Sequence, residues 1–272
     1  LIQIYPLIKL RLLPKFKLNL KHPGVRKVMY LMVPGIIAGG VSQLNMLVDT
    51  ILASFLPTGS PSWLYVSDRL MQLPLGIFAI AIATVILPRL SSLHQTESKK
   101  EFSKTIDWSI RLVLLAGFPA IIGLVVLSEP IILTLFERGE FSIIDTSEAS
   151  PSLIALALGL VAFMLIKVLT PGFFARQNPQ TPVKIALASM LVNAVLAVLL
   201  AFYFDLRHVG LAIASSFAAY FSVFILLAIL LKNRIYQIEK GWFIFLSRLI
   251  ISCLVMYGIV VLMNIDTSSW RE

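Results

Sequence analysis

Seven long apolar stretches follow one another along the chain, and polar residues gather between them. The stretches lie near 28–56, 63–88, 108–127, 152–175, 183–204, 209–231 and 242–264. Each is long enough to cross a bilayer, which takes about 20 residues in a helix. They run without the alternation of period two that a membrane barrel requires. The pattern therefore predicts an all-α polytopic membrane protein, a helical bundle of about seven transmembrane helices.

Composition narrows the class of protein further. Of the 272 residues, 58% are hydrophobic and 14% are charged, whereas a soluble globular domain is about 45–50% apolar and about 25% charged. An ordinary soluble enzyme and a disordered chain are therefore excluded. The single cysteine, Cys253, excludes an intramolecular disulfide and a cysteine metal cluster. The net charge of +9 lies between the apolar runs, so it indicates membrane topology and not a nucleic-acid partner.

Basic residues are concentrated on alternate connections. One set of connections carries 18 lysine and arginine residues and the other carries three. The basic set begins with residues 1–27, and the other set includes 57–62 and the acidic segment 128–151. By the positive-inside rule, the basic connections are expected to be cytoplasmic. Trp63 and Tyr65 are expected at the outer interface, in an aromatic belt.

Two local features modify the predicted helices. Three prolines, Pro34, Pro74 and Pro119, fall inside spans and are expected to kink them. The polar stretch 99–107 carries Phe102 and Ile106 at helical spacing. It is interpreted either as a helix on the cytoplasmic surface or as a solvated loop.

Four charged side chains are expected within the hydrocarbon, away from the ends of the spans: Asp49, Asp68, Arg69 and Lys167. Charges in hydrocarbon are costly, so each is a functional candidate. Asp49 and the Asp68–Arg69 pair lie at similar depth in the outer half of the bilayer. Arg69 could face an aqueous cavity and bind an anion there, because a guanidinium suits phosphate geometry.

Helical periodicity groups other polar residues around these charges. Ser42, Asn45 and Asp49 form a polar stripe on the first span, and Asp68, Gln72 and Gly76 share a face of the second. An oxygen-ligand cation site would form if Asp49, Asn193 and the serines of the sixth span, Ser215 and Ser216, converge.

Structural interpretations stand beside the functional ones. Asp49 could pair with Arg69 as a brace between helices. Asp68, Arg69 and Lys167 could snorkel to the interface, and Asn193 and the two serines could serve only as hydrogen bonds between helices.

Three stretches carry a resemblance to a known family. They are SQLNMLVDTILASFL (42–56), SWLYVSDRLMQLPLGIFAIAIATVILPRLS (62–91) and FFARQNPQTPVKIA (173–186). They resemble the MurJ (MviN) family of lipid II flippases, in the multidrug/oligosaccharidyl-lipid/polysaccharide exporter superfamily. The phrase WLYVSDRLMQLPLGIF is the most specific, and the resemblance covers nearly the whole chain. A complete member has two six-helix lobes facing a central cavity and two further helices.

On that template the chain resembles a second lobe with one extra helix. Residues 1–27 would be the end of a preceding helix and a basic cytoplasmic linker. Residues 28–231 would be the six-helix transporter lobe, and 232–272 a cytoplasmic connection with an additional, truncated helix. The resemblance therefore implies a partner lobe, the N-terminal lobe of the same chain, as well as membrane lipids.

The resemblance also implies a function. A MurJ-like flippase translocates lipid II, the undecaprenyl-pyrophosphate-linked peptidoglycan precursor, across the bacterial cytoplasmic (inner) membrane by alternating access. It serves cell-wall biogenesis and cell shape as a transporter, not an enzyme. Arg69 in the SDRLM motif would meet the pyrophosphate, with Asp68 and Gln72 beside it. Many members have an acid where this chain has Gln72, a departure that argues against proton coupling at this position.

Some members bind sodium in this lobe, which bears on energy coupling. The implied ligands are Asp49, Asn193 and Ser215, while Ala197 stands where a further carboxylate would be needed. We expect no organic cofactor or firm metal site, and coupling to Na⁺ or to the membrane potential.

Two other functions remain open. The first is another exporter of the superfamily, for lipid-linked polysaccharides or drugs. The second is a membrane enzyme acting on polyprenyl phosphates. That enzyme would need paired carboxylates or a histidine base at the membrane surface, and the three histidines, His22, His94 and His208, are far apart.

Overall fold

The computed structural model describes residues 23–263, apart from ten side chains between 27 and 42. Within that range the chain is helical and has no strand. The helices are α1 (Pro23–Ser54), α2 (Ser60–Gln95), α3 (Lys99–Val126), α4 (Ser128–Phe136), α5 (Ile143–Phe174), α6 (Gln180–Tyr203), α7 (Arg207–Lys232) and α8 (Trp242–Leu262). The expectations for 1–22, for 264–272 and for the side chains of Pro34 and Ser42 lie outside the described residues.

Each predicted span lies on one of these helices. Six of them, α2, α3 and α5 to α8, are long enough and apolar enough to cross a membrane. The first predicted span lies on α1, which has 32 residues. The all-α polytopic fold is thereby confirmed. Segment 128–151 differs from the prediction of a simple connection, because it contains α4 and the first residues of α5.

The helix α5 is the centre of the bundle. Of its most apolar stretch, 61% is buried inside the protein, against 11% for α8. Lipid tails are as apolar as the helices, so close packing and not water exclusion holds such helices together. A Cβ atom at Gly159 of α5 would clash with Ser216 Oγ of α7. Ser216 Oγ in turn donates a hydrogen bond to the carbonyl of Ala155 (2.7 Å), so a small residue at 159 allows this close approach.

Pro74 changes the helical geometry of α2. The α-helix Ser60–Pro74 passes directly into a π-helical segment, Leu75–Ile80, and then into the α-helix Ala81–Gln95. A proline inside a helix lacks the N–H donor, and its ring crowds the preceding turn. Single π turns accommodate such interruptions within an otherwise continuous helix. Where the sequence predicted a kink at Pro74, the structure therefore has a wider, π-helical turn directly after it.

Trp63 is not part of an interfacial belt, and that prediction is wrong. Its side chain is 8% exposed, and its Nε1 donates to Asp145 Oδ1 of α5 (2.7 Å). Its ring also packs edge-on against His208 of α7, with 4.9 Å between centroids. Asp145 further closes the capping box with Ser142 at the start of α5. The partner of Trp63 is 82 residues away in the sequence, so no local pattern predicts that this side chain is buried.

Residues 99–107 form the first turns of α3, so the loop interpretation is wrong. Phe102 and Ile106 are 5% and 1% exposed. Both belong to the main hydrophobic core and do not lie on a membrane surface. The apolar residues of this stretch therefore anchor α3 to the bundle.

Asp107 attaches the segment before α8 to the lobe. Its Oδ1 accepts hydrogen bonds from Tyr236 Oη and Trp242 Nε1, both at 2.7 Å, and its Oδ2 pairs with Arg111 Nε at 2.7 Å. Arg111 also donates to the carbonyl of Lys240 (3.1 Å). Burial, together with the bond to Asp107, raises the pKa of the Tyr236 hydroxyl well above its ordinary value, so this group stays a donor.

We predict that Asp107→Ala loosens the 233–241 connection. Removing one partner from a buried, hydrogen-bonded charge pair costs about 3 kcal/mol or more. Tryptic cleavage after the exposed Arg234 should therefore become much faster, while the other helices stay intact. Glu101→Ala is the matched control, since it removes an exposed ion pair with Lys104 on the same helix and should leave cleavage unchanged. Equal cleavage of both variants would contradict this role for Asp107.

Membrane orientation is tested by labelling at opposite ends of α2. In a Cys253→Ala background, an impermeant thiol reagent added outside intact cells should label a cysteine at Thr58 and not one at Gln95. Both positions are exposed, whereas Ser60 is buried and would react poorly on either side. The reverse pattern would invert the positive-inside assignment.

Candidate functional site

A cavity of about 1020 Å³ lies between α1, α2, α5, α6 and α7. Much of its wall is apolar, but polar side chains from all five helices reach it. They are Gln43, Asn45, Asp49, Thr50, Ser62, Tyr65, Asp68, Gln72, Lys167, Ser189, Asn193, Ser215 and Ser222. The cavity thus collects most of the polar residues that the sequence placed inside the spans.

One wall holds a network centred on Asp49. Asn193 Nδ2 donates to Asp49 Oδ1 (2.9 Å) and to Asn45 Oδ1 (3.0 Å). Asn45 Nδ2 donates to Asp49 Oδ2 (3.2 Å), and Ser215 Oγ lies 3.3 Å from both Asp49 Oδ2 and Asn193 Oδ1. The structure therefore brings together Asp49, Asn193 and Ser215 from α1, α6 and α7. Ser216 faces α5 and is not part of the network.

Asp68, Gln72 and Gly76 line the opposite side of the cavity on α2. Gln72 Nε2 donates a hydrogen bond to Asp68 Oδ2. Their shared face, expected from helical spacing, is present in the structure. The π-helical segment that begins at Leu75 includes Gly76, so this face continues through the irregular turn.

Arg69 lies beside the cavity and does not line it. Its guanidinium carbon is 4.9 Å from the centroid of the Tyr65 ring, and Tyr65 itself is a lining residue. Arg69 forms no ion pair with any carboxylate of residues 23–263. The brace to Asp49 is therefore not formed in this structure, because Asp49 accepts its hydrogen bonds from other side chains.

Lys167 is a cavity residue that sequence reasoning left outside the predicted site. Its side chain is exposed and lines the cavity with Phe163 and Ile166 of the same helix. The sequence carried a usable signal, because Leu156, Phe163 and Lys167 are spaced at seven and four residues and so share one helix face. All three line the cavity.

No group of three or more histidine, cysteine, aspartate or glutamate side chains suited to a metal ion occurs in the described part of the chain. His208 is 2% exposed, with Nε2 2.9 Å from the carbonyl oxygen of Glu148. The cavity therefore offers carboxylate and amide oxygens, hydroxyl groups and the Lys167 ammonium as ligand-binding groups.

Comparison with known proteins gives a consistent family. The family model described as "Lipid II flippase MurJ" matches residues 1–271. A probable lipid II flippase MurJ of Vibrio cholerae is 44% identical over 271 residues, covering 99% of this chain and 51% of that protein. The lipid II flippase MurJ of Burkholderia cenocepacia is 34% identical over 277 residues, covering 100% of this chain and 53% of the Burkholderia protein. The chain thus spans about half the length of the curated relatives it matches.

Solved structures agree on the fold. A lipid II flippase MurJ in an inward closed conformation superposes with a TM-score of 0.68 at 26% identity, covering 97% of this chain and 59% of that one. An outward-facing multidrug transporter of the MATE family superposes with a TM-score of 0.70 at 16% identity, covering 88% and 53%. At that identity the second likeness shows the fold alone.

Proposed function

Because this chain belongs to the lipid II flippase MurJ family, we propose that it forms one lobe of a flippase for a lipid-linked peptidoglycan precursor. The lobe would work in the bacterial inner membrane, with its basic connections cytoplasmic, by alternating access around a central site. The observation that carries this proposal is the cavity, since it gathers charged and amide side chains inside an otherwise apolar bundle.

The opposing wall of that site would come from a second lobe. The chain spans about half of the relatives it matches, and one lobe cannot by itself expose a cavity to alternate sides of a membrane. A preceding six-helix lobe in the same polypeptide supplies the second half in this proposal. The domain boundaries expected from the sequence, with the lobe at 28–231, fit this arrangement.

The two alternative functions differ in how well they fit the family and the geometry of the cavity. Export of another lipid-linked polysaccharide or a drug is favoured only by the shared fold. The family relationship and the phrase WLYVSDRLMQLPLGIF favour the peptidoglycan precursor. A polyprenyl-phosphate enzyme finds no support in the geometry, because the carboxylates Asp49 and Asp68 are each hydrogen-bonded within separate groups.

Arg69 is proposed to contact the pyrophosphate from the edge of the cavity. Its guanidinium already rests over Tyr65, so the aromatic ring would hold the planar fork while its N–H donors stay free for oxyanions. Asp68 directly precedes Arg69 and Gln72 lies one turn further along the same helix, and both line the cavity.

The Asp49 network is proposed to hold a coupling Na⁺. In this structure the Nδ2 groups of Asn45 and Asn193 donate to Asp49. With these amides rotated, the carboxylate, the two amide oxygens and the hydroxyl of Ser215 would give a donor set made only of oxygens, which suits a hard cation. A bound cation would neutralise Asp49 and link α1 to α6 and α7. The membrane potential alone is the alternative source of energy for the same movement.

Arg69→Ala should abolish complementation of a strain depleted of its own flippase when introduced into the full-length gene. Arg69→Lys keeps the charge but loses the planar fork, so it should support partial growth. Membrane abundance and the melting temperature should stay near wild type, because the exposed side chain contributes little to packing.

Arg89→Ala is the control, since Arg89 is exposed near the far end of the same helix and should complement fully. Normal growth with Arg69→Ala would refute the substrate role. If Arg69→Ala is unstable and Asp49→Asn restores it, the brace between these residues forms in another state of the protein.

Replacing KCl with NaCl at constant ionic strength should raise the melting temperature of the purified protein by roughly 2–4 °C. This corresponds to about 1.4 kcal/mol, the effect of a ligand at about ten times its dissociation constant. Asp49→Asn and Asn193→Ala should remove the shift. Asp68→Asn is the matched control in the same cavity and should keep it. A sodium-specific shift that survives Asp49→Asn would place the cation elsewhere.

A further inference from the structure

The charged residues that line the cavity are separated along the membrane normal. They are Asp49, Asp68 and Lys167. Asp49 is five residues from the end of α1, and Asp68 is eight residues from the start of α2. At 1.5 Å per residue these positions are about 8 and 12 Å from the end of the lobe predicted to face outside. Both acids therefore lie in the same half of the cavity.

Lys167 occupies the other half. It is seven residues, or about 10 Å, from the last residue of α5, at the end predicted to be cytoplasmic. The lining residues at this level are Ala186, Ser189, Met190 and Ser222, none of them acidic. Lys167 forms no ion pair or hydrogen bond within residues 23–263. Its ammonium is thus an uncompensated positive charge at the inner mouth of the cavity.

We propose that Lys167 is the first contact for the anionic group of the substrate, binding a phosphate-type oxyanion in the inner half of the cavity before that group reaches Arg69. This inference rests on the proposed flippase function and adds an entry position to it. An ammonium on a flexible stem suits capture of an anion arriving in several orientations, whereas the guanidinium of Arg69 suits a fixed, bidentate contact.

The arrangement of charges gives the two contacts an order. An oxyanion entering from the cytoplasmic end meets Lys167 with no carboxylate nearby. To move outward, the oxyanion must approach the Asp68 carboxylate, which repels it. Arg69 is the next residue, and its guanidinium over the Tyr65 ring offsets that repulsion. Lys167 therefore acts in loading, and Arg69 acts nearer to release.

The local potential can be measured without any lipid. In a background without native cysteines, the reaction rates of an anionic and a cationic thiosulfonate are compared at Ala186→Cys in the inner half and at Thr50→Cys in the outer half. Lys167→Gln should lower the anionic-to-cationic rate ratio at position 186 by roughly fivefold. It should leave the ratio at position 50 nearly unchanged.

The matched control is Lys184→Gln, which removes the same charge from the same end of the lobe at an exposed position that does not line the cavity. It should change neither ratio. An unchanged ratio at position 186 in Lys167→Gln would show that the ammonium extends out of the cavity toward the interface, and would overturn the proposal.

Binding to the purified full-length protein tests the ligand class. Three probes are compared: a polyprenyl pyrophosphate, inorganic pyrophosphate and an uncharged polyprenol. Lys167→Gln should weaken the polyprenyl pyrophosphate about tenfold, Lys167→Arg should stay within about threefold of wild type, and Lys184→Gln should match it. Inorganic pyrophosphate with the same dependence on Lys167 would identify the headgroup as the ligand. If only the lipid form depends on Lys167, the prenyl chain positions the headgroup.

The outcomes separate this inference from the proposed function. Tight binding of the polyprenyl pyrophosphate that Lys167→Gln leaves unchanged overturns the role of Lys167 and leaves the flippase proposal standing. Equal losses in Lys167→Gln and Lys184→Gln also overturn it, since they reflect general surface charge. Failure of the wild-type protein to bind any pyrophosphate probe contradicts both.

Discussion

The structure depends on the cost of placing an ionised side chain in hydrocarbon, which is about 2.5–3.5 kcal/mol at the centre of a helix on insertion scales. Four such side chains are expected within the hydrocarbon, and each of them lies in or beside one cavity. Asp49, Asp68 and Lys167 line one cavity, and Arg69 rests on a ring that lines it. Hydrocarbon also offers no water to the backbone, so every backbone N–H and C=O group has to be hydrogen-bonded within the protein. This explains why the described chain is helical even where Pro74 interrupts the regular pattern.

Polar clusters fix the helix bundle around the cavity at both of its ends. At one end Asp145 joins α5 to Trp63 of α2, and at the other the bonds of Asp107 attach the segment before α8 to α3. Between these points the contact of Gly159 with α7 leaves no space. Apolar packing and the Asp145 cluster therefore fix the back wall. Among the polar groups that face the cavity, Asp49, Asn193 and Ser215 also join α1, α6 and α7 through hydrogen bonds.

Sequence reasoning located the helices well and the contacts between them less well. The spans and the shared face of Asp68 and Gln72 follow from hydrophobicity and periodicity within single helices, which are local properties. The burial of Trp63 and the role of Asp107 depend on partners 82 and 129 or more residues away, so no local pattern contains them. The sequence indicated only that Asp49, Asn193 and Ser215 could form an oxygen-ligand cation site if their three helices met. It did not show that these helices meet. The orientation of Arg69 depends on whether Tyr65 one turn earlier accepts its guanidinium, which spacing alone does not decide.

The balance of charge limits what this lobe can do alone. Its two cations near the substrate path, Lys167 and Arg69, are matched by two carboxylates, Asp49 and Asp68, so the described wall carries no net positive charge when all four are ionised. A pyrophosphate brings at least two negative charges, and its transfer from water requires compensation of the same size. A cation bound at Asp49 would remove one of the opposing charges, and Gln72 adds no further negative charge. The remaining positive charge has to come from the facing wall. The electrostatics of this half-cavity therefore favour the proposed arrangement, in which a second lobe contributes further cations.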